Sequence, residues 1–150
     1  ENSAVAPAPV DKEMSAEQHL EVSDSLIKLY VANQKMDTLV TPNGIVYEYI
    51  KKNPKGKQVK FMDQVTVKYS GTLLDGTEFD HGQIDFVAGG QQVIRGWDEA
   101  VQLLREGEKI KAIIPWYQAY GDQATGPIPA FADLVFEMEV IKTISSKEQE

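Results

Sequence analysis

The first patterned stretch of the chain is HLEVSDSLIKLYVANQKM (19–36), in which Leu20, Ile27 and Val31, with Leu26, Leu29 and Tyr30, recur at roughly helical spacing. SAEQ precedes it, with Ser15 three residues ahead of Gln18, the arrangement in which hydroxyl and amide side chains satisfy free backbone donors at a helix start. A helix over 15–36 follows, and its apolar side must pack on the rest of the molecule or on a second copy. Pro42 and Asn43-Gly44 in TPNG then break the chain. Beyond this point the pattern is that of strands: IVYEYI (45–50), VTVKYSGTLL (65–74), TEFD (77–80), KIKAII (109–114) and DLVFEMEVIK (133–142). Val65, Val67 and Tyr69 alternate with Thr66, Lys68 and Ser70, and Leu134, Phe136, Met138 and Val140 share one face. Asp75-Gly76 tolerates the positive φ of a tight hairpin. One internal helix, about 97–104, carries Trp97, Ala100, Val101 and Leu104 on a single side. The fold class predicted is α+β: a twisted antiparallel sheet wrapped around one short helix, preceded by an N-terminal helix.

Composition narrows the function. The chain of 150 residues is 42% hydrophobic and 25% charged, enough for one domain with a real core. ENSAVAPAPVDKE (1–13) is small, polar and Pro-interrupted and reads as a flexible tether, followed by a helical segment (14–40) and a main domain (41–150). With 15 Lys+Arg against 23 Asp+Glu the net charge is −8, which argues against nucleic acid as a partner. No cysteine is present, so disulfides and thiolate chemistry are excluded, and no apolar run is long enough for a membrane span. The chain begins with Glu rather than Met, and a leader is expected to have preceded it.

Ordinary catalytic constellations are hard to find. His19 and His81 are far apart, with no metal-ligand spacing. Asp80-His81 near Ser70 could be imagined as nucleophile machinery, but KYSGT is no nucleophile elbow, and Ser70 reads as a strand residue on the outer face. Gly89, Gly90 and Gly96 fit no phosphate-binding spacing. What remains is a supply of large side chains on the inward faces: Tyr69, Phe79, Phe86, Val93, Ile94, Trp97, Tyr120 and Phe136. They can fill a core or line a pocket. Tyr69 and Tyr120 need partners for their hydroxyls, which suits a dry core less well.

Four ordered stretches, VTVKYSGTLLDGTEFD, FVAGGQQVIRGWDEAVQLLREGEK, IPWYQAYGDQATGPIPA and ADLVFEMEVIK, resemble the FKBP-type peptidyl-prolyl cis-trans isomerases over about residues 45–143. The helix and TPNGIVYEYI ahead of them are similar to the bacterial subfamily with an N-terminal helical segment. The resemblance implies rotation about X-Pro bonds in an aromatic cup, assisting protein folding without a cofactor or metal. Trp97 would be the floor, Tyr69, Phe86 and Phe136 the walls, and Phe79, Val93 and Ile94 the entrance, with Ile128 matching the isoleucine on the loop before the last strand. The catalytic set it implies is the Ile94 backbone amide and the Tyr120 hydroxyl as donors to peptide carbonyls, with Asp80 at the edge. Implied partners are proline-containing segments of client proteins and macrolide inhibitors, with room for a homodimer through the N-terminal helix and an extracytoplasmic site in a bacterium. The alternative is a client-binding module or chaperone with little or no isomerase activity. Residues 80–86 form a shorter connection than the family's usual bulged segment, and Pro127, Ala130 and Phe131 replace its usual residues before the last strand.

Overall fold

The computed structural model describes residues 14–147; the tether expected over 1–13 lies outside them. Helix α1 spans Ala16–Gln34. Its capping box is reciprocal: the Gln18 amide donates to Ser15 Oγ at 3.1 Å while the Ser15 amide donates to Gln18 Oε1 at 2.7 Å. Lys35 closes the helix in the left-handed region with φ 55°, its N–H turned back to Ala32.

The strands are β1 (Leu39–Val40), β2 (Val46–Lys51), β3 (Gln64–Leu73), β4 (Glu78–Val87), β5 (Lys109–Ile114) and β6 (Leu134–Ile144). They form one six-stranded sheet in the order β1-β2-β5-β6-β3-β4, every neighbour antiparallel. The β3–β4 hairpin turns at Asp75-Gly76 as expected, with Gly76 at φ 91° and the Leu73 amide bonded to Thr77 O at 2.9 Å. One expectation is corrected here. Residues 80–86 are no connection to a further strand; they continue β4, in register from Gly71 opposite Asp80 to Val65 opposite Phe86. As an edge strand β4 is largely solvated, so its polar residues hide the alternation by which strands are recognised.

Successive strand residues point to opposite faces. On one face Ile110, Ala112 and Ile114 join Val65, Val67, Leu134, Phe136, Met138 and Val140. Helix α2 (Arg95–Val101) packs there through Trp97, Ala100 and Val101, and its bounds correct the expected 97–104. Beyond Val101 single turns take over, yet Leu104 remains buried. On the other face Ile113 and Val135 meet Ile27 of α1, with Tyr30 and Val31 against them.

The expected apolar side of α1 is also corrected. Its buried residues are His19, Ser23 and Ile27, whereas Leu20, Leu26 and Leu29 are exposed. Hydrophobicity alone misplaced the stripe because two of its three anchors are polar: Ser23 bonds to Asp133, and His19 stacks on Phe131.

Candidate active site

Trp97 enters the concave face from the first turn of α2, where the chain has just left the GGQQVI loop. Ile94 is the N-cap, its carbonyl taking the Trp97 amide at 3.0 Å, so the loop's last residue and the indole are fixed together. The loop is shaped by Asp98, a buried carboxylate on α2 that accepts the Gly89 amide at 2.9 Å and the Gln91 amide at 3.1 Å. Gly89 and Gln91 sit at φ 78° and 64°, a buckle that these two bonds hold in place. Among the described residues the Ile94 N–H meets no acceptor.

Three rings converge on the indole. Tyr69 from β3 stands edge-on at 4.8 Å between centroids, Phe136 from β6 edge-on at 5.2 Å, and Phe86 from β4 tilted at 5.6 Å. Phe79 follows on the Phe136 side at 5.6 Å. The close fit of Phe79 and Phe136 requires Gly71 between them: a Cβ there would lie 2.6 Å from the Phe136 ring and 2.7 Å from that of Phe79. Trp97, Phe86, Phe136 and Ile128 are buried, while Val93, Ile94, Tyr69 and Phe79 are half-buried and pack around them. The indole N–H is buried and meets no partner among the described residues.

The polar groups gather on one rim. The Tyr69 hydroxyl donates to Asp80 Oδ2 at 2.8 Å. Burial first, then that bond and the carboxylate's charge, with a smaller push from Tyr120, drive the Tyr69 phenol up to about 12. Burial and the Asp80 charge also raise Tyr120. Both phenols therefore keep their protons at neutral pH and remain donors. Tyr120 is 39% exposed, open enough to meet a ligand yet near enough to feel Asp80.

The structure thus brings Tyr69, Phe79, Phe86, Trp97 and Phe136 into one cluster, sets Val93, Ile94 and Ile128 against it, and places Asp80 and Tyr120 at the rim. His81 faces away, bonded to Glu78 at 2.5 Å. Sequence reasoning missed Asp98, whose signal was its place just after the tryptophan behind a glycine-rich loop. It also missed Asp133, which joins Trp116 to α1. A separate cleft of about 300 Å³ opens between α1 and the other face of the sheet, lined by Ser70, Thr72, Lys111 and Glu137 among others, and contains none of the aromatic cluster.

The site is therefore a sheet packed on one helix, with four aromatic rings gathered around an indole and two phenol hydroxyls beside a carboxylate at its edge. A family profile described as FKBP-type peptidyl-prolyl cis-trans isomerase matches residues 55–141, and the chain belongs to that family. It is similar to FK506-binding protein 2 of Debaryomyces hansenii, 45% identical over 93 residues that make up 59% of this chain and 69% of that protein. It is also similar to FkpA of Aeromonas hydrophila, 42% identical over 108 residues, which are 67% of this chain but only 38% of that protein. Among solved structures, FkpA from Escherichia coli superposes with TM-score 0.73 at 30% identity, covering 87% of this chain and 62% of that one. The peptidyl-prolyl cis-trans isomerase of Pseudomonas syringae gives TM-score 0.76 at 29% identity over 90% of this chain and 100% of that one.

Proposed function

We propose that this chain catalyses cis-trans rotation about X-Pro bonds in other proteins and thereby assists their folding. The observation that carries the reading is the convergence of Tyr69, Phe86 and Phe136 on Trp97 beside the bonded pair of Tyr69 and Asp80. Amide resonance sets a rotation barrier of roughly 18–20 kcal/mol, and X-Pro bonds exchange over tens to hundreds of seconds unaided. No covalent bond need break. Twisting the amide removes resonance and its charge separation, so an apolar cup favours the twisted state over the planar one. Each tenfold of rate needs only about 1.4 kcal/mol of such preference.

In this reading Trp97 receives the pyrrolidine ring, with Phe86, Phe136 and Tyr69 as its walls and Phe79, Val93 and Ile128 at the mouth. The unoccupied Ile94 N–H and the protonated Tyr120 hydroxyl hold the flanking carbonyls, and Asp80 sets the polarity of the rim. The working unit is 41–150 with the 14–40 segment docked on its back. FK506, which one relative is named for binding, would compete for the cup. Exposed Val22, Leu26 and Leu29 on α1 support a homodimer or client contact through that helix. No described helix is long and apolar enough to cross a membrane, and likeness to the FkpA relatives, helical segment included, supports an extracytoplasmic site.

The test is isomerisation of a short X-Pro peptide by the wild type, Trp97→Leu and Tyr120→Phe. Accelerated exchange in the wild type, falling at least tenfold in Trp97→Leu, supports the reading. A wild type that suppresses client aggregation but leaves the peptide's exchange at its unaided rate would replace it with a binding module.

A further inference from the structure

We propose that His19 and Ser23 of α1 are positioning residues for the loop that presents Tyr120 and Ile128 to the cup. The inference rests on the functional reading above for its consequence, though not for its geometry.

Residues 116–133 form a loop closed at its base. The Gly121 amide donates to Trp116 O at 2.9 Å, the Phe131 amide to Gly121 O at 2.8 Å, and the Trp116 amide to Asp133 Oδ1 at 2.9 Å. Thr125 and Ile128 exchange backbone bonds of 2.8 and 2.9 Å at the far end. Tyr120 and Ile128 thus ride on one frame, set by how Trp116, Phe131 and Asp133 sit.

That base is completed by α1. Ser23 Oγ donates to the same Asp133 Oδ1 at 2.6 Å. The His19 ring lies flat on Phe131, centroids 3.5 Å apart and planes within 3°, and stands edge-on to Trp116 at 6.3 Å. Trp116 packs on Phe131 at 4.8 Å, closing a three-ring cluster. Phe131 is itself in the left-handed region with φ 61°, unusual for a bulky side chain and stable only where its surroundings hold it. Chemistry also separates this contact from plain docking. Of the three buried residues of α1, only Ile27 meets the sheet's apolar face, while the two polar ones both meet the loop. A helix needing only adhesion would bury apolar residues, since a buried polar group is costly without a partner of fixed geometry. His19 and Ser23 fix direction. Phe131, held in the left-handed region under the His19 ring, is the point at which this is done.

The experiment compares wild type with His19→Ala, Ser23→Ala and the exposed control Lys28→Ala, each below its melting transition. Hydrogen exchange is read at the Gly121, Ile128 and Phe131 amides, and kcat/KM on an X-Pro peptide. Loop exchange about tenfold faster, with central-strand amides of β3 and β6 unchanged, is expected for the first two variants. A fall of about tenfold in kcat/KM is expected for them as well, absent when the substitution is made in Tyr120→Phe and reversed by His19→Phe, which keeps the flat contact. Unchanged loop exchange, or an equal loss in the Tyr120→Phe background, overturns the proposal. If His19→Ala does not fold, Ser23→Ala against Ser23→Thr carries the same comparison, the retained hydroxyl being required for slow loop exchange. A wild type without isomerase activity would sink the functional reading, while the exchange data would still decide whether α1 holds the loop.

Discussion

Tyr69 and Asp80 are joined across the β3–β4 ladder by a 2.8 Å bond that leaves the phenol ring edge-on to Trp97 and its hydroxyl on a carboxylate at the rim. One side chain thus walls the indole and anchors a charge. Tyr69→Phe keeps the wall and frees the anchor. It is expected to cost about 1 kcal/mol of stability, read by denaturant unfolding, and to lower kcat/KM more than KM alone accounts for.

The same residue sets an alkaline limit. Its phenol is raised to about 12 in the folded state, so the fold binds that proton more tightly than the unfolded chain, whose phenol loses it near the ordinary value of 10.0. The associated stability is complete below the unfolded value and disappears as pH rises through the folded one. Phenolate absorbance should show a tyrosine titrating near 12 that is missing from Tyr69→Phe.

Asp133 has the opposite consequence. Burial raises its carboxyl, and the bonds from Ser23 and Trp116 only partly offset this. A carboxyl raised on folding favours the protonated form, so its stability contribution is greatest below the ordinary carboxylate value and falls as pH rises through the folded one. Asp133→Asn removes that dependence. Thermal midpoints of variant and wild type should therefore shift in the variant's favour between acid and neutral pH.

Gly71→Ala inserts a methyl between Phe79 and Phe136 where both rings are already too close to admit it. Overpacking of about 1–3 kcal/mol is expected, with loss of isomerisation exceeding what the unfolded fraction explains. Near-ultraviolet circular dichroism of the aromatic cluster would report the displaced rings.

Asp98→Ala removes the acceptor for the Gly89 and Gln91 amides and releases the loop carrying Val93 and Ile94. A loss of about 1–3 kcal/mol is expected from two orphaned amide donors, with a raised KM because the Ile94 amide is no longer fixed. Asp98→Asn, which keeps one acceptor, should recover part of both.

Tyr69 and Phe136 were legible in the sequence because they occupy inward positions of strands with clean alternation, and Trp97 because it opens the apolar side of a helix, whereas Phe79 and Phe86 took their places in the cup only through the family resemblance. Val65, Val67 and Tyr69 on β3, and Leu134 and Phe136 on β6, declare their face by spacing alone. The Asp75-Gly76 turn and the Ser15 cap were legible because each is a local chemical device that needs no tertiary information. Elements whose pattern depends on distant partners were not. β4 lies at the sheet edge and carries Asp80, His81, Gln83 and Asp85, so solvent rather than a core face chose its residues. α1 docks through His19 and Ser23, and neither residue type signals burial until Phe131 and Asp133 stand opposite. Asp98 and Asp133 escaped for a related reason: an aspartate's backbone acceptance leaves no mark on hydrophobic periodicity.

The strand order has a consequence for how the molecule comes into being on a ribosome. The middle of the sheet pairs Gln64 with Ile144 and Leu73 with Leu134, so the first half of the main sheet waits for the last strand to be translated. Until then Tyr69 and Trp97 have no Phe136 to close against, and a nascent chain exposes the apolar surface that the finished one conceals. The chain is thereby among the slower kinds to mature, its own folding held back by the long-range pairing that completes its cluster.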